Sequence, residues 1–137
     1  MAGYSGTPLA KKLGVKEGDE VVTLSAPADF TPALEPLPAG VRLSAPARLP
    51  RHADVIVAFF KKRADLARRI TVCGKTIFPD GGLWVAWPKR ASGVATDITE
   101  DVVREVALPL GLVDNKVCAI DDTWSGLRVV WRKQLRS

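Results

Sequence analysis

Two polar stretches hold residue types that could grip a ligand. The first, Lys89-Arg90-Ala91-Ser92-Gly93, runs on to Thr96 and Asp97. Two cations, a hydroxyl and a glycine ahead of a helix start could receive a phosphate or carboxylate, because exposed amides and a helix N-terminus favour anions. It is not a P-loop, since the pattern G-x-x-x-x-G-K-S/T is absent. The plain alternative is a solvated connection. Residues 89–96 are nonetheless longer than the ~2–6 residues a strand-to-helix link needs. The second stretch is Asp121-Asp122-Thr123-Trp124-Ser125. Adjacent carboxylates could hold a divalent cation or act as acid and base. Neighbours in an extended chain point to opposite sides, however, and Asp in a turn commonly bonds nearby amides. Trp124 offers a stacking surface for a base if exposed, and a core side chain if it folds back. The candidate ligand-binding residues are therefore Lys89, Arg90, Ser92, Gly93, Thr96, Asp97, Asp121, Asp122, Trp124 and Ser125.

A third cluster is purely basic: Lys61, Lys62, Arg63, Arg68 and Arg69. A smaller one holds Arg132, Lys133 and Arg136. Polyanion binders gather their charge in one stripe. With a net charge of only +5, the larger cluster reads as a solvated helix face, with nucleic-acid contact as the weaker alternative.

Other chemistry is excluded by count. His52 is the single histidine, in a linker ahead of a strand. Only two cysteines, Cys73 and Cys118, are present, too few with His52 for a structural zinc site. Both sit in apolar surroundings and read as reduced and buried. No catalytic residue and no metal ligand is assigned. Apolar residues are 47% of the 137 and charged residues 26%, which excludes collagen, coiled coil and wholesale disorder. No apolar run reaches the ~20 residues needed to span a bilayer. The first residues contain no apolar secretion segment, so the expected compartment is the cytoplasm and no membrane partner is expected.

The elements that must position these residues follow from periodicity. Thr7-Pro8 and Thr31-Pro32 each read as a cap followed by proline at a helix start. Residues 21–24, 41–45, 54–60, 83–87, 117–120 and 127–131 read as strands. Residues 54–60 and 83–87 are apolar without alternation, the mark of strands buried on both faces. Leu66, Ile70, Cys73 and Ile77 make one stripe of a helix that starts after Lys61, and Val102, Val103, Val106 and Leu110 another. Asp97 or Thr99 caps the latter. Strands alternating with helices argue a parallel sheet covered on both sides, closed by an antiparallel pair. Only residues 46–53 join the second strand to the third, less than a helical crossover takes, so either the chain returns extended along a short strand or residues 41–45 run antiparallel to a neighbour. In such sheets ligands bind beyond the C-terminal strand ends. The segments projected there are residues 26–29, 60–63, 88–96 and 121–125.

Residues 53–87 resemble the middle of a class I methyltransferase fold. Ala53-Asp54-Val55-Ile56-Val57 stands for its strand and Pro79-Asp80-Gly81-Gly82-Leu83-Trp84 for its turn into the next. The closing hairpin matches that fold too. End to end, the chain also resembles an uncharacterised bacterial family of small proteins known only as a domain of unknown function. Three segments carry that resemblance: residues 3–14, 87–97 and 121–127. It brings no activity with it. The methyltransferase resemblance implies a glycine-rich turn after the first strand and an acid at the end of the second. The chain has Ser25-Ala26-Pro27-Ala28-Asp29 and Leu43-Ser44-Ala45 there instead.

The resulting expectation is one domain over residues 1–137. Its fold is a three-layer, Rossmann-like (methyltransferase-like) α/β sheet of about six mostly parallel strands, with a C-terminal antiparallel hairpin and one helix–strand unit missing. The expected function is binding of a small anion, nucleotide or protein partner at the strand-end rim, more a binding domain than an enzyme. The alternatives are a divergent S-adenosylmethionine-dependent methyltransferase and a nucleic-acid-binding module. No cofactor is expected, because the glycine-rich turn is absent.

Overall fold

The structure is a computed structural model and describes residues 7–136. The segment 1–6, including the start of the first family-like segment, lies outside the described residues, as does Ser137. Six strands form one sheet: β1 (Glu20–Leu24), β2 (Arg42–Ser44), β3 (Val55–Phe59), β4 (Gly82–Pro88), β5 (Leu112–Ala119) and β6 (Trp124–Trp131). Their order is β2-β1-β3-β4-β6-β5. The first four are parallel, and β6 runs antiparallel to both β4 and β5.

Every residue of β3 and β4 is buried, as their unbroken apolar runs require. Helices α3 (Arg63–Ile77) and α4 (Glu100–Ala107) cover one face. There Leu66, Ile70, Cys73, Ile77, Val103 and Ala107 pack on Val22, Ile56, Val85 and Leu127. The short helices α1 (Leu9–Lys12) and α2 (Phe30–Ala33) belong to the other face. There Leu13, Phe30 and Leu34 join Val21, Val57 and Trp84. The Trp84 indole N–H donates to Leu13 O at 2.8 Å, so a fully buried ring keeps its polar atom paired. This is the expected three-layer α/β architecture.

Between β2 and β3 no helix intervenes, and β2 still pairs in parallel with β1. The ten residues 45–54, extended, span about 33 Å, enough to return along so short a strand.

The closing pair departs from expectation. β5 begins at Leu112, not 117, and β6 at Trp124, not 127. Asp114, Asn115 and Lys116 are poor strand formers, and a register shift between Asp114 and Lys116 interrupts the alternation. Asp114 is accommodated because its carboxylate accepts from Arg104 Nε of α4 at 3.1 Å. Cys73 and Cys118 lie on opposite faces of the sheet, and both are free thiols. Burial pushes the Cys73 thiol up to about 11. Among the described residues no helix is long and apolar enough to cross a membrane.

Candidate ligand-binding cleft at the strand ends

A cleft of about 660 Å³ opens where β1 and β3 end, within the size range of small-molecule sites. Ser25 and Pro27 come from the turn after β1, and Phe59 to Lys62 from the end of β3. Asp65, Arg68 and Arg69 stand on the first turns of α3. Val94, Thr123 and Trp124 close the far side. Phe59 meets Phe30 edge-on at 4.9 Å and Trp124 at 5.0 Å between ring centres. These contacts fix an aromatic wall.

The electrostatics of the cleft are one-sided. Lys61, Lys62, Arg68 and Arg69 line it with a single carboxylate, Asp65, already paired with Arg68 at 2.8 Å. Arg69 has no ion-pair partner among the described residues and is only half exposed. The fifth cation of the cluster, Arg63, instead reaches Glu105 at 3.6 Å.

A second opening of about 500 Å³ adjoins the cleft. It is lined by Trp87, Lys89, Arg90, Gly93, Thr96 and Ser125, and shares Val94 with the cleft. The two polar stretches singled out from the sequence meet here. β4 and β6 set Pro88 opposite Trp124, and the Lys89 amide donates to Thr123 O at 2.7 Å.

Several of their side chains are engaged in local structure. Ser92 Oγ donates to Lys89 O at 2.6 Å and accepts from the Val94 amide. Thr96 Oγ1 donates to Lys61 O at 2.6 Å and accepts from the Ile98 amide. Asp97 caps α3, not α4, by accepting from the Arg63 amide at 2.6 Å. Thr99 caps α4 through the Val102 amide. Asp121 Oδ1 takes the amides of Thr123 and Trp124 at 2.8 and 2.7 Å. Asp122 is exposed, and Trp124 is folded inward at 8% exposure. Arg90 and Gly93 lie at the mouth of the second opening, with Gly93 at φ 77.

Sequence reasoning placed residues 26–29 and 60–63 at this rim, assigned no small ligand to them and gave Lys61, Lys62 and Arg63 only nucleic-acid contact as a weaker alternative. It treated the cations of 61–69 as an outer helix face. The available signal was their position: they follow directly on a fully buried parallel strand. Among the described residues no cluster of His, Cys, Asp or Glu could hold a metal ion.

Comparison with solved structures decides what frame this is. A methyltransferase of Aquifex aeolicus dependent on S-adenosylmethionine (SAM) matches with TM-score 0.63 at 13% identity, over 88% of this chain and 86% of that one. The fold is methyltransferase-like. Aeropyrum pernix fibrillarin with natively bound S-adenosyl-L-methionine matches with TM-score 0.60 at 17% identity, over 86% and 69%. Magnesium protoporphyrin IX methyltransferase from Synechocystis, with bound SAH (S-adenosylhomocysteine), matches with TM-score 0.61 at 11% identity, over 90% and 78%. No family model and no curated protein matches the chain.

The expectation of no cofactor is corrected by these neighbours. Two of them hold SAM or SAH on this frame, so a fold of this kind accommodates the cofactor. In the turn after β1, Ser25 adopts φ 55, a left-handed conformation that favours glycine. The two grips implied by the resemblance are still not supplied. Pro27 has no amide to give, and β2 ends at Ser44 without a carboxylate. Its one acidic contact, from Glu20 to Arg42, lies at the other end of the strand. Any cofactor here would be held by other groups.

Proposed function

We propose that the chain binds a small anionic, ring-bearing ligand of nucleotide size in the cleft at the ends of β1 and β3. The observation that carries this is the lining: four cations against one already paired carboxylate, beside a wall of Phe59 and Trp124. Lys61, Lys62 and Arg69 would take phosphate oxygens, and the ring would lie against the small edges of Phe59 and Trp124 that reach the cleft, without a full stacking face. Calorimetric titration with adenosine mono- and triphosphate tests it. Arg69→Gln should weaken binding about tenfold or more, the cost of one charge-assisted hydrogen bond. No heat from either nucleotide would overturn the reading.

The second reading is a methyltransferase that grips SAM differently. It is supported by the fold of the neighbours and by the second opening, which adjoins the cleft and leaves room for a methyl acceptor. Binding of SAM or SAH, with none of nucleotides, would favour it.

A further inference from the structure

Arg128 is sheltered without a counter-charge at the other end of the sheet from the cleft. It stands on β6 directly between Trp84 of β4 and Lys116 of β5. Like charges opposite one another across strands are unfavourable. The guanidinium lies over Gly82. A Cβ at that position would come within 2.5 Å of Arg128 Nε and 2.6 Å of Nη2, so glycine at 82 makes the space it occupies. Arg136 adds another cation, anchored by its Nε donating to Trp131 O at 2.8 Å. Burial, and then the charge of Arg136, push the Arg128 pKa down from its ordinary value.

Arg104 of α4, half-buried as Arg128 and Arg136 are, is treated differently. Arg104 binds Glu100, Asp101 and Asp114 together. Among the described residues no carboxylate reaches salt-bridge distance of Arg128, Lys116 or Arg136. A partly desolvated, uncompensated cation is unfavourable until an anion joins it. Lys116 turns its Nζ to Lys12 O at 3.0 Å; we propose that Arg128, with Arg136 beside it, forms a second anion site that takes a phosphate or phosphoryl group.

Thermal unfolding of the whole chain tests this, with inorganic phosphate, glycerol 3-phosphate, or chloride at matched ionic strength. Wild type should melt higher with the phosphates than with chloride. Arg128→Met keeps the apolar stem. It should melt above wild type in phosphate-free buffer and bind phosphate about tenfold more weakly or worse. Gly82→Ala displaces the guanidinium without removing its charge and should also lose the phosphate response. It stands in if Arg128→Met does not fold. Arg69→Gln removes a phosphate contact in the cleft and should keep the part of the response that Arg128→Met and Gly82→Ala lose, which separates this site from that one. A larger response to inorganic phosphate points to the free ion, and a larger one to glycerol 3-phosphate to a phosphorylated molecule. No response in wild type, or equal responses in wild type and both Arg128 and Gly82 variants, would overturn the site.

Discussion

Ser25 carries a backbone conformation that side chains disfavour by about 1–2 kcal/mol, at φ 55 where the chain turns into the cleft. Ser25→Gly should therefore leave stability unchanged or slightly raised, since relief of strain opposes the added freedom of the unfolded chain. Ser25→Val should cost about 1–2 kcal/mol in urea unfolding. Cys73 supplies a pH test. Its thiol is raised by burial from 9.0 to about 11, so the unfolded chain releases this proton first. The contribution is intact below pH 9 and is lost as pH climbs towards 11. Wild type should lose more stability over that window than Cys73→Ala, and parallel pH curves for the two would contradict the shift. At this scale the sequence showed residue types but not partners. Ser92 and Asp121 bond within three residues, as turn chemistry anticipates. Thr96 and Asp97 bond Lys61 and Arg63 across more than thirty residues. Nothing local encodes those pairs.

The long helix α3 was more legible than the closing strands, for a physical reason, whereas α2 starts at Phe30 ahead of the expected Thr31–Pro32 cap and Leu110 lies exposed beyond α4. The stripe of Leu66, Ile70, Cys73 and Ile77 is set by burial against one face, and all four are buried. β5 is an edge strand with several exposed positions, so no alternation of its own announces it. Its bulge and its Asp114–Arg104 bond are visible only once α4 is in place. The caps make the element-scale prediction. Thr99→Ala removes the acceptor for the Val102 amide at the start of α4 and should cost about 1 kcal/mol. Asp97→Ala should cost a similar amount at α3. It should also weaken ligand binding, because Asp97 ties the loop carrying Val94 to the helix carrying Arg69. Thr99→Ala should leave binding alone. Equal binding losses in the two would contradict that division.

The molecule as a whole was legible in its layers, but the direction of residues 41–45 was open between parallel and antiparallel, and only the structure pairs them in parallel with β1. Unbroken apolar strands demand cover on both faces, and residues 46–53 are too few for a helix. The cleft was legible only as a location. Its walls come from four separate segments whose convergence is a product of strand order. The absent glycine turn was over-read as the absence of a cofactor, since neighbours of the same fold hold SAM or SAH. Fold does not choose among ligands; the groups lining the cleft do. The most direct measurement is an amide nuclear magnetic resonance titration of the whole chain with adenosine monophosphate. Shifts should concentrate at Ser25, Phe60, Lys61, Lys62, Val94 and Trp124 and saturate together. An unchanged spectrum, or shifts confined to the surface around Lys116, Arg128 and Arg136, would contradict a nucleotide-sized anion site in the strand-end cleft.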